Sequence, residues 1–359
     1  MGQLPGGLVV DRDFLAATAR SIVEMMEPAG AIPWTPGGHT DIWNHVEAAM
    51  ALVVCGADEA ADRAFAWAAS RQRADGSMPL KIVGGAVEDA SGETNVSAYL
   101  AVGVWHHWLV RRDLEFVRRL WPVVRRGLDW VCSMQLDFGG IAWSQEWSAG
   151  QPGQVNAEAL LAGSSSIHHS LQAGLALAAL MGDPQPEWEL AGGRLGHALR
   201  HHRDLFLDKA TFSMDWYYPV LGGAVRGSAG LALLESRWDD FVVPGLGVRC
   251  VDTNPWVTGA ETCELVLALD ALGDRDRALQ VLADMQHLRT ESGSYWTGLV
   301  YPDNVNWPVE QTTYTAAAVI LAADALFGFT PGGSIMRGDG WVPDLAEIGL
   351  RCGCVPALH

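Results

Sequence analysis

The stretch Gln135-Leu-Asp-Phe-Gly139-Gly-Ile-Ala-Trp143 ends one charged, amphipathic segment of the chain and leads towards an Ala- and Leu-rich one. Related stretches run from Gln72 to Ser77 and from Gln286 to Trp296. In each, a Gln near the end of a helical segment is followed by a Gly that can adopt a positive φ, and in two of the three an aromatic residue follows. We interpret these stretches as a repeated helix exit, which indicates a repeat fold.

Two kinds of helical segment alternate around these exits, with a period of roughly fifty to sixty residues. The first kind is rich in small apolar residues on nearly every face, which predicts burial, and covers residues 41–54, 95–110, 165–179, 224–234, 258–272 and 309–326. The second kind is amphipathic and covers residues 58–72, 113–135, 188–202 and 274–286, with 11–26 at the N-terminus. This alternation predicts an all-α fold, an (α/α)6 toroid of inner and outer helices. We expect residues 1–330 to form this single domain and residues 331–359 to pack on it as a C-terminal tail.

The balance of charges narrows the range of partners. The chain has 24 Lys and Arg against 42 Asp and Glu, a net charge of −18. Such a protein repels phosphate backbones and anionic lipid, so we expect neither nucleic acid nor membrane as a partner and favour a neutral ligand. The apolar stretches are far shorter than the ~20 residues of a spanning helix, and residues 1–30 show no signal peptide. We therefore expect a cytoplasmic protein.

Motifs for metals and nucleotides are missing. The six cysteines lack zinc-like spacing, no His-Glu-x-x-His arrangement is present, and no phosphate-binding loop occurs. We expect no metal and no cofactor, and reduced thiols.

Sixteen tryptophans lie mostly beside Gly, Pro or acidic residues rather than inside apolar runs. The segments that lead into the buried helices are rich in Gly, Pro and aromatic residues, and we expect them to gather as loops at one mouth of the toroid. Aromatic rings gain apolar contact by covering the C–H faces of sugars. Trp105 and Trp188 are interpreted as packing residues. The predicted walls of a sugar-binding groove are Trp34, Trp43, Trp143, Trp216, Trp256, Trp296 and Trp307.

Asp41 is the candidate general base, because glycosyl transfer to water needs two carboxyl groups. It stands where the first buried helix begins, so stabilisation of that helix start is an equally good interpretation. The polar stretch from His39 through Asn44 to His45 favours a functional role, because polar groups at the end of an apolar helix are costly unless the mouth is wet. We include these three residues among the substrate-binding candidates.

The fifth buried helix carries the candidate general acid. Thr258-Gly-Ala-Glu261 matches a capping box, which would make Glu261 a structural residue. Glu264 lies one turn deeper on the same face, and burial would raise its pKa as a general acid requires. We predict that either Glu261 or Glu264 is the acid.

The remaining substrate-binding candidates are polar or aromatic residues near the starts of the buried helices. Asp215 lies in the aromatic stretch from Phe212 to Pro219, interpreted as a loop that binds a sugar or plugs the toroid. His168 is either a satisfied core residue or one of a His pair in a sugar epimerase. The candidates are Asp89, Glu93, Asn95, His168, Asp215, Tyr217, Tyr218, Tyr295, Glu310 and Gln311.

Two resemblances accompany these motifs. The end of the first outer segment, Gln72 to Ser77, resembles the repeat of terpene cyclases and prenyltransferases, but the Asp-x-Asp-Asp and Asp-Asp-x-x-Asp motifs of isoprenoid enzymes are absent. Residues 36–50, 163–168, 215–223 and 255–264 resemble an actinobacterial family that includes the methylmannose polysaccharide hydrolase of mycobacteria. That resemblance implies an endo-acting α-(1→4)-mannan hydrolase with no metal requirement.

The leading hypothesis is therefore a hydrolase that cleaves α-(1→4)-linked mannose or methylmannose oligosaccharides. Toroids of this type usually invert, which predicts acid and base carboxyls about 6.5–9.5 Å apart. The alternatives are an isoprenoid-handling protein, with a pocket of Phe and Leu and one lone acid, a sugar epimerase toroid, and a catalytically silent sugar-binding toroid.

Overall fold

A computed structural model describes residues 2–339 and Leu345. In these residues the helices are α1 (Arg12–Met25), α2 (Ile42–Val54), α3 (Asp58–Ser70), α4 (Thr94–Ala98), α5 (Leu100–Arg111), α6 (Leu114–Ser133), α7 (Leu161–Met181), α8 (Pro186–His201), α9 (Ser213–Leu221), α10 (Gly227–Glu235), α11 (Trp238–Phe241), α12 (Gly259–Ala271), α13 (Arg275–Asp284) and α14 (Thr313–Phe327). The strands are β1 (Gly2–Gln3), β2 (Val9–Val10), β3 (His39–Thr40), β4 (Pro79–Val83), β5 (Ala86–Glu93), β6 (Ser144–Ser148), β7 (Gln151–Asn156), β8 (Val242–Val243), β9 (Gly247–Arg249), β10 (Trp256–Thr258), β11 (Gly298–Val300) and β12 (Val305–Asn306).

The most deeply buried helices form a closed ring. In the order α2, α5, α7, α9, α12 and α14, each packs against the next, and α14 packs against α2. Their small apolar side chains, such as the run from Ala316 to Ala318, are buried and let neighbouring helices approach closely on both sides. Amphipathic helices cover this ring from outside, with α3 on α2, α8 on α7, α13 on α12 and α1 on α14.

The predicted all-α class is wrong, because the described residues also form three antiparallel sheets. One has two strands, β1-β2. The others have five each, in the orders β3-β4-β5-β6-β7 and β12-β11-β10-β9-β8. The chain is therefore an α+β protein. The segments expected as loops at the mouth supply several of these strands. Most of the strands are only two to six residues long, too short for an alternating pattern to reveal them.

The fourth helix of the ring also differs from the prediction. The Ala- and Leu-rich residues 224–234 mostly form α10, whose side chains are largely exposed. The ring instead contains α9, the aromatic stretch interpreted as a loop, in which Trp216, Tyr217 and Tyr218 are buried. Three large aromatic side chains fill this position in place of the expected Ala and Leu, so composition alone pointed to the wrong segment.

The repeated Gly exits join neighbouring outer helices. Gly76 and Gly139 have φ values of 99° and 101°. A Cβ at Gly76 would lie 2.1 Å from the carbonyl oxygen of Arg126 in α6, and one at Gly139 would lie 2.6 Å from that of Arg194 in α8. Both the positive φ and the close approach of two backbones require Gly at these positions. The side-chain amide of Gln135 completes the turn by donating to the carbonyls of Gly139 and Ala191, at 3.0 and 2.9 Å.

The start of the predicted C-terminal tail lies against the ring. Residues Pro331–Ser334 form a 3-10 turn that packs on α5 and α14, and Ile335 and Met336 are buried. The side chain of Arg337 pairs with Asp270 of α12. The rest of the predicted tail, apart from Leu345, lies outside the described residues. In the part of the chain that the structure describes, the helices are too short or too polar to cross a membrane.

Candidate active site

A cavity of about 430 Å³ opens at the end of the ring where α2, α4 and α12 begin. Strands β3, β5 and β10 run directly into these helices, so strands of both five-stranded sheets and the helix starts together build the cavity wall. Its lining residues are Trp34, His39, Asp41, Trp43, Asn44, Glu47, Leu80, Lys81, Asp89, Glu93, Val96, Trp143, Met214, Ala260, Glu261, Glu264 and Tyr314. The cavity thus combines aromatic rings with carboxyl groups, as the sequence predicted for a mouth-facing site.

Asp41 lies in the cavity wall and also caps α2. Its Oδ1 accepts the backbone N–H of Asn44 at 2.9 Å. Its Oδ2 accepts the Trp34 indole N–H at 2.6 Å and the Asn44 side-chain amide at 2.9 Å. Asp41 therefore does stabilise the start of α2, as one of the two interpretations of the sequence predicted. The same three donors fix the orientation of a carboxyl group that faces the cavity, so the two roles are compatible.

The capping box expected at the start of α12 does not form, because the side chain of Thr258 caps no backbone N–H. The main-chain N–H of Gly259 instead donates to the carbonyl of Thr297 at 3.0 Å. Glu261, in the first turn of α12, lines the cavity and is partly exposed to it. The competing structural explanation for Glu261 thus loses its main support.

Glu264 lies one turn deeper and forms part of the cavity floor. Its Oε1 accepts the hydroxyl of Tyr218 at 2.5 Å, and its Oε2 accepts that of Tyr217. Burial, followed by the charges of Glu47 and Glu261, raises its pKa well above the ordinary value. Tyr217 and Tyr218 therefore reach the site through Glu264, from a helix that the sequence did not place in the ring.

Sequence reasoning missed Glu47 and Tyr99, which complete the floor. The Oε1 of Glu47 accepts the hydroxyl of Tyr99 at 2.9 Å and the indole N–H of Trp43 at 3.2 Å. Burial is the main cause that raises the pKa of Glu47. A signal for Glu47 was available, because it is an acid in an apolar helix, on the face of Trp43 one turn earlier.

Glu93 and Asp89 bring two more carboxyl groups to the wall. Glu93 is only 6% exposed and caps α4 by accepting the backbone N–H of Val96 at 2.5 Å. Burial raises the pKa of Glu93 to about 7. The Oδ1 of Asp89 accepts the N–H of Ser91 at 2.9 Å. The third candidate of this segment, Asn95, is buried beside them but does not line the cavity.

The aromatic wall consists of Trp34, Trp43, Trp143 and Tyr314. The Trp34 ring lies 4.5 Å from that of Tyr314 and 4.4 Å from that of His39, between centroids. Burial is the largest of the causes that shift the pKa of His39, and it lowers that pKa. An apolar ring beside an oriented carboxylate is the arrangement expected for holding a sugar over a reactive group.

Several sequence candidates lie in the core or under the floor, away from the cavity. Trp216 is buried, with its indole N–H on the carbonyl of Leu233 at 3.0 Å. Tyr295 is buried with its hydroxyl on Gln286. His45 accepts the N–H of Ile32 at 3.0 Å, and His168 contacts the carbonyl of Gly222 at 2.9 Å. Burial lowers the pKa of both histidines to about 4.

Other candidates lie on the rim or in a separate cavity. Trp256 and Trp307 stack edge to face, and Trp307 is 53% exposed. The main chains of Trp296 and Gln311 form an isolated antiparallel β-bridge. Glu310 lies near enough to His39 to influence the pKa of that histidine. Asp215 accepts the N–H of Ala162 at 3.2 Å and lines a separate cavity of about 440 Å³, where burial raises the pKa of Asp215 to about 6.

Among the described residues, no cluster of three or more His, Cys, Asp or Glu side chains has the geometry to hold a metal ion.

No protein-family model matches this chain. The MMP endo-(1,4)-3-O-methyl-alpha-D-mannosidase of Mycolicibacterium hassiacum is 58% identical over 337 residues, which cover 94% of this chain and 92% of that protein. The chain belongs to this mannosidase family. It is a glycoside hydrolase, and the membership inferred from the sequence is confirmed.

Solved structures agree in fold with this member of the mannosidase family. A glycosidase variant in complex with glucose has a TM-score of 0.71 at 16% identity, covering 89% of this chain and 97% of its own. A D-mannose isomerase has a TM-score of 0.64 at 10% identity, covering 87% of this chain and 97% of its own. At such low identities these similarities show the shared fold alone.

Proposed function

We propose that this enzyme cleaves internal α-(1→4) bonds of a neutral, partly methylated mannose polysaccharide. The observation that carries the proposal is the set of carboxyl groups around an aromatic-walled cavity, in a chain closely related to an endo-mannosidase. Four free thiols among the described residues, Cys55, Cys132, Cys250 and Cys263, suit a reducing compartment, and we place the enzyme in the cytoplasm.

Asp41 and Glu261 are the pair that we assign to the chemistry. Asp41 removes a proton from water, the water oxygen attacks the anomeric carbon, and the glycosidic C–O bond breaks as Glu261 protonates the leaving oxygen. The two residues begin helices α2 and α12, which lie on either side of α14 in the ring. Inversion of configuration requires these two carboxyl groups to stand about 6.5–9.5 Å apart, with a water molecule between the base and the sugar.

Glu261 suits the acid role better than Glu264. Both oxygens of Glu264 already accept tyrosine hydroxyls on the floor. Glu261 lies one turn nearer the mouth, where the departing part of a polysaccharide must leave. Asp41 is oriented by Trp34 and Asn44, which keep the base fixed relative to the aromatic wall.

The lining of the cavity favours a neutral, methylated substrate. Among the described residues that line the cavity, Lys81 is the one Lys or Arg. Its Nζ forms an ion pair with Oε2 of Glu88 at 3.0 Å. Excess negative charge disfavours anionic sugars. Methyl ethers add apolar surface that Trp34, Trp143 and Met214 can cover, which strengthens binding in proportion to the area removed from water.

The alternative functions predict different linings. An isoprenoid-handling site would have one lone acid among Phe and Leu, whereas the described lining contains Asp41, Glu47, Asp89, Glu93, Glu261 and Glu264. An epimerase of the kind considered would need two histidines that face each other across the cavity. Among the described residues, a single histidine, His39, lines the cavity.

The test is digestion of α-(1→4)-linked 3-O-methylmannose oligosaccharides, with products identified by mass spectrometry and the first-formed anomer by NMR. We expect shorter internal fragments released with inverted configuration. Asp41→Asn and Glu261→Gln should each lower kcat by at least a thousandfold while substrate still binds, whereas the exposed control Asp137→Asn should match wild type. Binding of these oligosaccharides without cleavage by the wild-type enzyme would exclude them as its substrate, and activity in both variants would exclude this acid and base.

A further inference from the structure

The cavity floor separates the proposed sugar site from a small space within the ring. Glu47 of α2 and Glu264 of α12 line the main cavity, and both also line a second cavity of about 20 Å³ directly beneath. That second cavity is bounded by Ser166 and His169 of α7 and by Met336 of the segment after α14. The two carboxyl groups therefore form a partition with substrate space on one side and protein on the other.

Every hydrogen-bond donor that the structure gives this pair is neutral. Tyr99 and Trp43 donate to Glu47, and Tyr217 and Tyr218 donate to Glu264. Within residues 2–339, neither carboxyl group forms an ion pair with Lys or Arg. Tyrosine hydroxyls orient the carboxyl groups without cancelling their charge. The net charge of the two carboxyl groups therefore depends on how many protons they hold.

Two carboxyl groups so placed resist double ionisation, because each negative charge disfavours the other and burial disfavours both. Burial raises the pKa of each, and the charge of Glu47 raises the pKa of Glu264 further. The groups that face the pair from surrounding elements are Asp41 and Glu261 above it, the four donors around it, and Ser166 and His169 below it. The negative charge of Asp41 also favours retention of a proton on Glu47.

We propose that Glu47 and Glu264 share one proton and present a single negative charge to the sugar at the cavity floor, where it stabilises the transition state without transferring a proton to the substrate. This proposal rests on the hydrolase function proposed above. Glycoside hydrolysis passes through a transition state with oxocarbenium character, so positive charge develops on the ring that lies over the floor. A fixed negative charge on the cavity floor stabilises that developing positive charge.

Single and double substitutions test the sharing. In Glu47→Gln the remaining Glu264 loses its charged neighbour and carries the charge alone, and the reverse holds in Glu264→Gln. We expect each single variant to keep kcat within about tenfold of wild type, with the acidic limb of the kcat profile moved to higher pH, because two carboxyl groups that share a proton hold the first negative charge more readily than one buried group alone. The double variant has no floor charge and should lose at least about a hundredfold in kcat with KM little changed.

The opposite pattern would overturn the proposal. A single Glu264→Gln variant as inactive as the double variant, yet active on an aryl glycoside with a good leaving group, would make Glu264 the general acid. A double variant as active as wild type would leave the pair without an electrostatic role. Asp137→Asn serves as the control for removal of one distant charge.

A spectroscopic measurement separates this proposal from the function on which it rests. The infrared carboxyl stretch of a protonated acid should be present in wild-type protein at neutral pH and weaken in both single variants. Loss of that signal in protein that cleaves no mannoside would support the shared proton while rejecting the hydrolase assignment. An unchanged signal in an active enzyme would reject the shared proton alone, and melting curves of all variants report whether they are folded.

Discussion

Glu93 offers a quantitative test of the electrostatics of the site. Its carboxyl group is 6% exposed, and burial raises its pKa from 4.5 to about 7. Between these two values the folded protein holds a proton that the unfolded chain releases. The free energy of unfolding must therefore fall as pH rises from about 4.5 through 7. At 1.36 kcal/mol per pH unit, the loss attributable to this group reaches about 3 kcal/mol above pH 7.

The substitution Glu93→Gln isolates this contribution, because the amide oxygen can still accept the N–H of Val96 while the group no longer titrates. Chemical denaturation of both proteins from pH 5 to 8 should show the variant gaining about 3 kcal/mol relative to wild type as pH rises. For a chain of this size the corresponding change in Tm is about 4 °C. Parallel profiles for the two proteins would refute the reasoning.

Asp113 provides a matched control for Glu93. It caps α6 in the same way, by accepting the N–H of Phe116, but it is exposed and that hydrogen bond lowers its pKa. A group with a lowered pKa stabilises the fold above its ordinary pKa and loses this effect as pH falls. Asp113→Asn should therefore remove a contribution of opposite pH dependence, so burial rather than capping must account for any gain seen in Glu93→Gln.

Three further predictions follow from the geometry. Gly139→Ala should destabilise the fold by more than about 1–3 kcal/mol, because the new Cβ would lie 2.6 Å from the carbonyl oxygen of Arg194. The control Gly150→Ala, at φ 76° with open space around it, should cost only about 1 kcal/mol. Equal losses of stability in denaturation experiments would contradict this reasoning. Trp34→Phe keeps a ring against Tyr314 but removes the 2.6 Å bond to Asp41, and should lower kcat about tenfold with a smaller effect on KM, as steady-state kinetics will show. Trp307→Ala should raise KM for long chains but not for short oligosaccharides if the exposed Trp256–Trp307 pair binds the polysaccharide outside the cavity, and equal KM changes for both lengths would exclude that role.

The candidate site was partly accessible from sequence because its parts occur at helix starts. Asp41 and Glu261 were found from their positions at the beginnings of apolar helices, where polar groups are costly without a use. Glu47 was overlooked although an acid in an apolar helix was a signal, and its position alone could not identify the residues that surround it. Its partners Tyr99 and Glu264 belong to other helices and meet it only in the folded protein.

Local physics also explains what the sequence determined about the fold. The period of buried and amphipathic helices and the Gly exits depend on residues close together in the chain, so they are readable without the structure. Membership of the mannosidase family was likewise inferred from short motifs. Tertiary structure alone decided three features: the two five-stranded sheets, the place of the aromatic helix α9 in the ring, and the proximity of Glu47 to Glu264. Each of them joins segments that are distant in the chain. Backbone pairing, side-chain volume and charge hold these segments together, and no local pattern encodes such contacts.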